Sequence, residues 1–265
     1  MKALFKGLSV VALFFAVWLL LAQIDFVSIF GIKEAKTDTE TSIGNIIWDE
    51  IKATEEIIVN DTITNTIDKL IKPLCTENAI NKDSLKVHVL KNDEVNAFAL
   101  PGNHLVVYTG LIEASKNESA LIGVLGHEIA HIENKHVMKK LSKEIGFSVL
   151  LSLTGGSGSA QVIKDIFHNL SSSAYDRSLE KEADMASVDY MLNADVNPTP
   201  FADFLYEMSF DNNSLSKALS WVSSHPEAEE RAKYVLEYIK GKKKTYKSVL
   251  SETEWKAFKK VNKDL

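Results

Sequence analysis

Residues 117–145 read NESALIGVLGHEIAHIENKHVMKKLSKEI, and the organisation of the chain follows from this stretch. Leu121, Leu125, Ile129, Ile132, Met138 and Leu141 recur at helical spacing, and Asn117 or Ser115 can cap the start. The spacing predicts one long amphipathic helix. Inside it, His127-Glu128-Ile129-Ala130-His131 sets two histidines four positions apart, on one helical face, where both can reach a single ion. Glu128 stands beside them as a carboxylate able to take a proton from an activated water. By composition alone this five-residue pattern arises in on the order of one chain in a hundred of this length, and a rigid helical carrier makes accident a weaker account. Gly123 and Gly126 precede it. Glycine in a helix costs about 1 kcal/mol relative to alanine, so close approach of another backbone is expected there. His136 falls off the ligand face of a continuous helix and reads as a surface residue.

A metal that works on a substrate commonly takes three protein ligands. Cys75 is the only cysteine, so the chain forms no internal disulfide, and a metal site must use histidines and carboxylates. The run from Asp176 to Asp184, DRSLEKEAD, offers Glu180 and Asp184 one turn apart on one face. One carboxylate can bind a metal while the other orients a ligand histidine through its free ring nitrogen. A solvated acidic face is the ordinary reading of such a run; the histidine pair upstream favours the functional one. Glu182 points to the opposite side and receives no role. His88, His104 and His168 have no partner pattern. Among 30 basic residues only Arg177 and Arg231 are arginines, and a planar guanidinium grips a carboxylate as lysine cannot.

The rest of the chain reads as follows. Met1–Lys6 carries two lysines, and Leu8–Ile24 is 17 residues without charge, about 25 Å as a helix and at the short end of a membrane span. Cleavage after Ala22 would put Leu20 where a small residue is wanted, so an uncleaved anchor is the better reading, with a cleaved signal peptide as the alternative. Lys2 and Lys6 would stay cytoplasmic, leaving the chain outside, on the periplasmic side in a bacterium. A polar tether, Gly31–Ser42, leads to isoleucines at helical spacing from Ile43 to Ile71 and to Leu74, in one or two helices ending near Pro73. Strands are expected at Val87–Leu90, Val95–Leu100 and His104–Thr109, with a turn at Pro101-Gly102-Asn103. Gly146–Leu153 reads as a buried helix end before a flexible Gly/Ser loop. Helices follow at Ala174–Leu192, after Pro200, and from the capping box Ser251–Glu254. The expected organisation is an anchor over 1–30, tether and helices over 31–84, a catalytic part over 85–240 and a basic helix over 241–265. The net charge of −6 argues against nucleic acid as a partner.

Four blocks in this order resemble the HtpX-like and CAAX-prenyl-protease family of membrane-associated zinc endopeptidases, most closely its small extracytoplasmic members. They are Asn96-Ala-Phe-Ala-Leu-Pro-Gly102, Leu125-Gly-His-Glu-Ile-Ala-His131, Arg177-Ser-Leu-Glu180 through Asp184, and Ser224-His-Pro226 with Arg231. The likeness covers roughly residues 85 to 235. It implies a gluzincin: a mainly helical α+β zincin domain with a small antiparallel sheet along the cleft. One zinc ion per chain would be bound by His127, His131 and Glu180. Glu128 would act as general base and acid, and Asp184, Arg177 and Arg231 would support the ligands. Asn96, Ala97, Phe98 and Ala99 would form the edge strand to which a polypeptide substrate adds. His225 would donate to the oxyanion or close the metal as a fourth ligand. A single span makes a prenylated substrate a poor fit. A membrane-tethered chaperone or assembly factor, gripping extended polypeptide with little cleavage, is the alternative.

Overall fold

Asn117 decides where the central helix begins: its side chain accepts from the Ala120 backbone N–H, and the helix runs Glu118–Glu133. From Ala120 to Ile132 every residue is buried. The expected one-sided amphipathic helix is therefore enclosed on all sides, as a core helix is. In this computed structural model the described residues are 37–155, 160–210, 221, 223–242 and 244–265. Contacts divide the chain into two units, Met1–Thr39 and Glu40–Leu265, and the elements below belong to the second apart from the first residues of α1.

In chain order the helices are α1 (Thr37–Thr54), α2 (Asp61–Glu77), α3 (Thr109–Ala114), α4 (Glu118–Glu133), α5 (His136–Leu141), α6 (Phe147–Thr154), α7 (Ala160–Ser172), α8 (Arg177–Asn193), α9 (Thr199–Phe210), α10 (Ala228–Ile239) and α11 (Glu252–Lys263). The strands are β1 (Lys86–Leu90), β2 (Ala97–Leu100) and β3 (His104–Tyr108). The chain is mainly helical, α+β, with α2, α8 and α9 packed around α4. Gly123 and Gly126 serve that packing, but against side chains and not backbone. A Cβ on Gly123 would meet Phe201 at 2.4 Å, and one on Gly126 would meet Ser187 Oγ at 2.8 Å. Ser187 Oγ donates to the Gly123 carbonyl at 2.7 Å, tying α8 to α4.

Several expectations are corrected. The sheet is mixed, in order β1-β3-β2: β2 and β3 form an antiparallel hairpin, but β1 runs parallel to β3. Residues after β1 carry the chain past the place β3 will take, and reciprocal bonds between Asn92 and Thr109 hold that crossing. The hairpin turn uses Gly102 and Asn103, both at positive φ. Pro73 does not end α2, which continues to Glu77, because Leu74 and Cys75 are buried beyond it. The tether gives way to helix at Thr37. Residues 117–145 are not one helix. Asn134 caps α4, Lys135 adopts the left-handed conformation at φ 54°, and α5 starts anew and passes into a π-helical segment, Ser142–Gly146. In α6 only Leu150 and Leu153 are buried, while Val149 and Leu151 are 38% and 41% exposed. The anchor expected at Leu8–Ile24 and most of the Gly/Ser loop, at 156–159, lie outside the described residues. Among the described residues no helix is long and apolar enough to cross a membrane.

Candidate metal centre

Helix α4 presents His127 and His131 on one face, as their spacing requires, with Nε2 atoms 3.0 Å apart. Helix α8 crosses α4 and brings Glu180, whose Oε1 lies 3.3 Å from His131 Nε2. His225, just past a helical stretch that includes Trp221, turns Nδ1 inward, 3.0 Å from Glu180 Oε1 and 3.3 Å from His127 Nε2. One ligand atom from each of the four residues lies within 4.8 Å of the others, and all four side chains are buried.

This set fits a divalent metal on three counts. A tetrahedron with metal–ligand bonds of 2.0–2.1 Å has edges of about 3.3 Å, and the separations above are 3.0–3.3 Å. Burial pushes His131 well below the ordinary imidazole range and His225 down to about 4, so both stay in the neutral form that binds metal. The charges in direct contact at the cluster are also unequal. Desolvation raises the pKa values of Glu180 and Asp184, but the Arg231 guanidinium and neighbouring histidines outweigh it and hold both well below the carboxylate range. Only one guanidinium touches the two carboxylates, and the next buried cation, Lys140, stands off over the Tyr175 ring, so the cluster itself has a place for a cation's charge.

Supporting contacts hold the ligands in place. Asp184 Oδ1 lies 2.8 Å from His127 Nδ1, which directs the opposite nitrogen, Nε2, toward the cluster. Arg231 grips both Asp184 oxygens, through Nε at 2.8 Å and Nη2 at 2.7 Å, and reaches Glu180 Oε2 with Nη1 at 2.7 Å. That leaves Glu180 Oε1 facing the histidines. Tyr234 donates its hydroxyl to Asp184. The other arginine stands apart: Arg177 is exposed and pairs with Glu227, two residues past His225, and not with a carboxylate of the cluster. It anchors the loop after His225 instead of a metal ligand.

Glu128 is fully buried, and neither carboxylate oxygen has a hydrogen-bond partner of full geometry among the described residues. Desolvation, with the nearby Glu180 charge, raises its pKa well above the carboxylate range, against the lowering pull of Arg231 and the Ala99 amide. His225 Nε2 lies 3.4 Å from Glu128 Oε1. The Ala99 amide matters for the edge strand. Tyr108 N–H bonds the Asn96 carbonyl, so by antiparallel alternation Ala97 and Ala99 turn their main-chain groups away from β3. Ala99 thus faces Glu128. Asn96 donates to the Ser171 carbonyl at the end of α7, and Phe98 packs against Tyr108 and Phe167, so β2 lies buried beneath α7 in this state.

Some contributors escaped the sequence reading. Tyr175 stacks on His131 at 4.0 Å, and Trp221 stacks on His225 at 4.1 Å. The signal for Trp221 was its position one turn before His225; Tyr175 had none beyond adjacency to Asp176. His136, expected at the surface, is fully buried, with Nδ1 3.0 Å from His131 Nδ1. His88 and His104 bond each other away from this centre. A cavity of about 890 Å³ also lies elsewhere, lined among others by Lys91, Glu113, Tyr206 and Asn262.

Residues 61–239 match the model of peptidase family M48. The chain belongs to peptidase family M48. It is similar to the mitochondrial metalloendopeptidase OMA1 of Schizosaccharomyces pombe, 25% identical over 175 residues that cover 65% of this chain and 52% of that protein. It is also similar to the beta-barrel assembly-enhancing protease of Yersinia pestis, 23% identical over 208 residues, 73% of this chain and 42% of that protein. With OMA1 of Arabidopsis thaliana it shares 25% identity over 211 residues, 77% of this chain and 41% of that protein. The chain thus spans about half, or less, of the length of these M48 relatives.

Arg231 gives the centre its stability test. Arg231→Met leaves two buried carboxylates without a counter-charge and should cost roughly 3–5 kcal/mol in the metal-free protein, read from denaturant midpoints. Arg231→Lys keeps the charge but loses the fork and should fall between. Asp184 is held below its ordinary value of 3.8, so this stabilisation is present above about pH 4 and is lost as pH falls further. The gap between parent and Arg231→Met should narrow in that range.

Proposed function

We propose that the chain is a zinc metalloendopeptidase acting on extended polypeptide. The observation that carries this reading is the buried His127–His131–Glu180–His225 cluster with an unsatisfied Glu128 carboxylate alongside. In our reading His127, His131 and Glu180 bind one zinc ion. Bound there, zinc supplies Lewis-acid activation of the scissile carbonyl and of water. Glu128 takes the proton and delivers it to the leaving amine. Asp184 and Arg231 keep His127 and Glu180 oriented while this happens. Substrate adds alongside Asn96–Ala99, bonding the outward main-chain groups of Ala97 and Ala99 next to Glu128, once α7 moves off that edge.

Glu128→Gln should retain fold and zinc while losing at least about a hundredfold in hydrolysis of unfolded casein, because the carboxylate moves protons and does not ligate. Turnover close to the parent's would sink the mechanism. Retained biological function in the same inactive variant would support a chaperone role instead.

For His225 the reading is a resting closure: Nδ1 faces the cluster, and the site is sealed from solvent. His225→Ala should therefore raise turnover. A drop of about 10²–10³-fold would assign it to the oxyanion.

The finer kinship, to the small extracytoplasmic HtpX-like members, and the choice of misfolded or unassembled membrane and envelope proteins as substrates rest on the resemblance carried by the four sequence blocks. The anchor rests on Leu8–Ile24. The full chain should stay with membranes through a carbonate wash, with its catalytic part outside the cytoplasm; release of a mature form starting after Ala22 would mean that the segment is a cleaved signal.

A further inference from the structure

The break in the helix after the H-E-x-x-H pattern has a chemical result. On a continuous helix His136 would point well away from His131, five residues earlier. Because Lys135 is left-handed, the chain changes direction and α5 begins anew at His136. The rings of His131 and His136 come within 5.0 Å at 70°, and their Nδ1 atoms are 3.0 Å apart. On its far side, His136 Nε2 approaches Glu182 Oε2 at 3.4 Å. His136 is fully buried, whereas the Glu182 side chain is half exposed.

Two imidazole nitrogens at 3.0 Å must divide the roles of donor and acceptor. If His131 uses Nε2 for the metal, its proton sits on Nδ1 and points at His136. His136 Nδ1 must then accept, so the His136 proton sits on Nε2, the nitrogen facing Glu182. Each donor then faces an acceptor, His131 Nδ1 toward His136 at 3.0 Å and His136 Nε2 toward Glu182 at the longer 3.4 Å. The reverse assignment would aim a lone pair of His136 at a carboxylate and leave His131 without its ring proton. The two ligand histidines of α4 are thus held by different arms. His127 rests directly on Asp184. For His131 a carboxylate acts through an intervening imidazole.

We propose that His136 is a positioning residue for the metal: it fixes the tautomer and ring angle of His131, with Glu182 biasing His136 in turn. This rests on the metal-site reading above. Tyr175, stacked on His131 at 4.0 Å, restrains the ring plane but offers no acceptor to Nδ1, so the two constraints are complementary. The Glu182 contact is longer than an ordinary hydrogen bond, so its share is the smaller.

The test uses the full-length chain in detergent, with zinc affinity measured by chelator competition and fold checked by circular dichroism. His136→Leu should weaken zinc binding by roughly 10–100-fold. His136→Asn puts an amide oxygen where Nδ1 was and should stay within about threefold of the parent. Glu182→Leu should weaken zinc by only about two- to fivefold. In unaltered protein carrying ¹⁵N-histidine, the zinc-loaded form should show His136 protonated at Nε2. Parent-like affinity in His136→Leu overturns the proposal. So does an equal loss in the Leu and Asn variants, which marks a packing role, and so does a proton on His136 Nδ1. If His136→Leu fails to fold, the tautomer in the unaltered protein decides. Failure of the unaltered chain to bind zinc would overturn the site reading itself, and the arm with it, whereas normal binding with insensitive variants overturns only the arm.

Discussion

The buried guanidinium of Arg231 is the constraint on which the rest of the centre depends. Two carboxylates in the interior, Asp184 and Glu180, would each cost several kcal/mol to desolvate while ionised, and without a counter-charge they would take up protons. A protonated Asp184 would cease to be an anionic acceptor for His127, and a protonated Glu180 would cease to be a ligand. Arg231 prevents both from one position, because its planar fork spans the two residues. It comes from α10, far along the chain, so α4 and α8 present this cluster with its counter-charge only when α10 has docked. His225 belongs to the same assembly, since Arg231 also bonds its carbonyl.

Burial and neighbouring charge together explain Glu128. Glu128 is fully buried beside the Glu180 charge, so desolvation first and that neighbour second drive it toward its neutral form, against the pull of Arg231, the Ala99 amide and Lys140. A divalent cation held by the cluster would reverse the sign of the local field and allow Glu128 to ionise. In the proposed mechanism Glu128 would thus be coupled to the metal by electrostatics. Close packing of α4 supports this by excluding water. Gly123 and Gly126 admit Phe201 and Ser187, and the low dielectric that results magnifies each of these charges.

Much of the design was readable in the residues. The apolar period marked the start of α4 but ran on past its end at Glu133. The helices expected near Pro73 and at Ala174–Leu192 fall on α2 and α8 within a few residues, and the capping chemistry of Asn117 and of Ser251–Glu254 marked two helix starts. The four-residue spacings, His127 to His131 and Glu180 to Asp184, carry their own geometry, because a helix turns side chains four apart onto one face. Hairpin chemistry at Pro101–Asn103 was likewise local. What these share is dependence on neighbours in sequence, where φ and ψ preferences and short-range spacing suffice.

Other features needed the assembled fold. Apolar period could not reveal that β1 pairs parallel to β3, because strand order depends on where the intervening chain passes. Nor could it separate Arg231 from Arg177, the one clamped between two buried carboxylates and the other exposed beside Glu227. His136 is the sharpest case. Its place at the surface followed correctly from a continuous helix, and a single left-handed residue, Lys135, turned it onto His131 instead. By itself the sequence determined which atoms could serve as metal ligands and on which helices they ride. Tertiary structure decided which charges balance, which nitrogen of each histidine faces inward, and which partner holds it there, because those outcomes depend on burial and on contacts between residues distant in sequence.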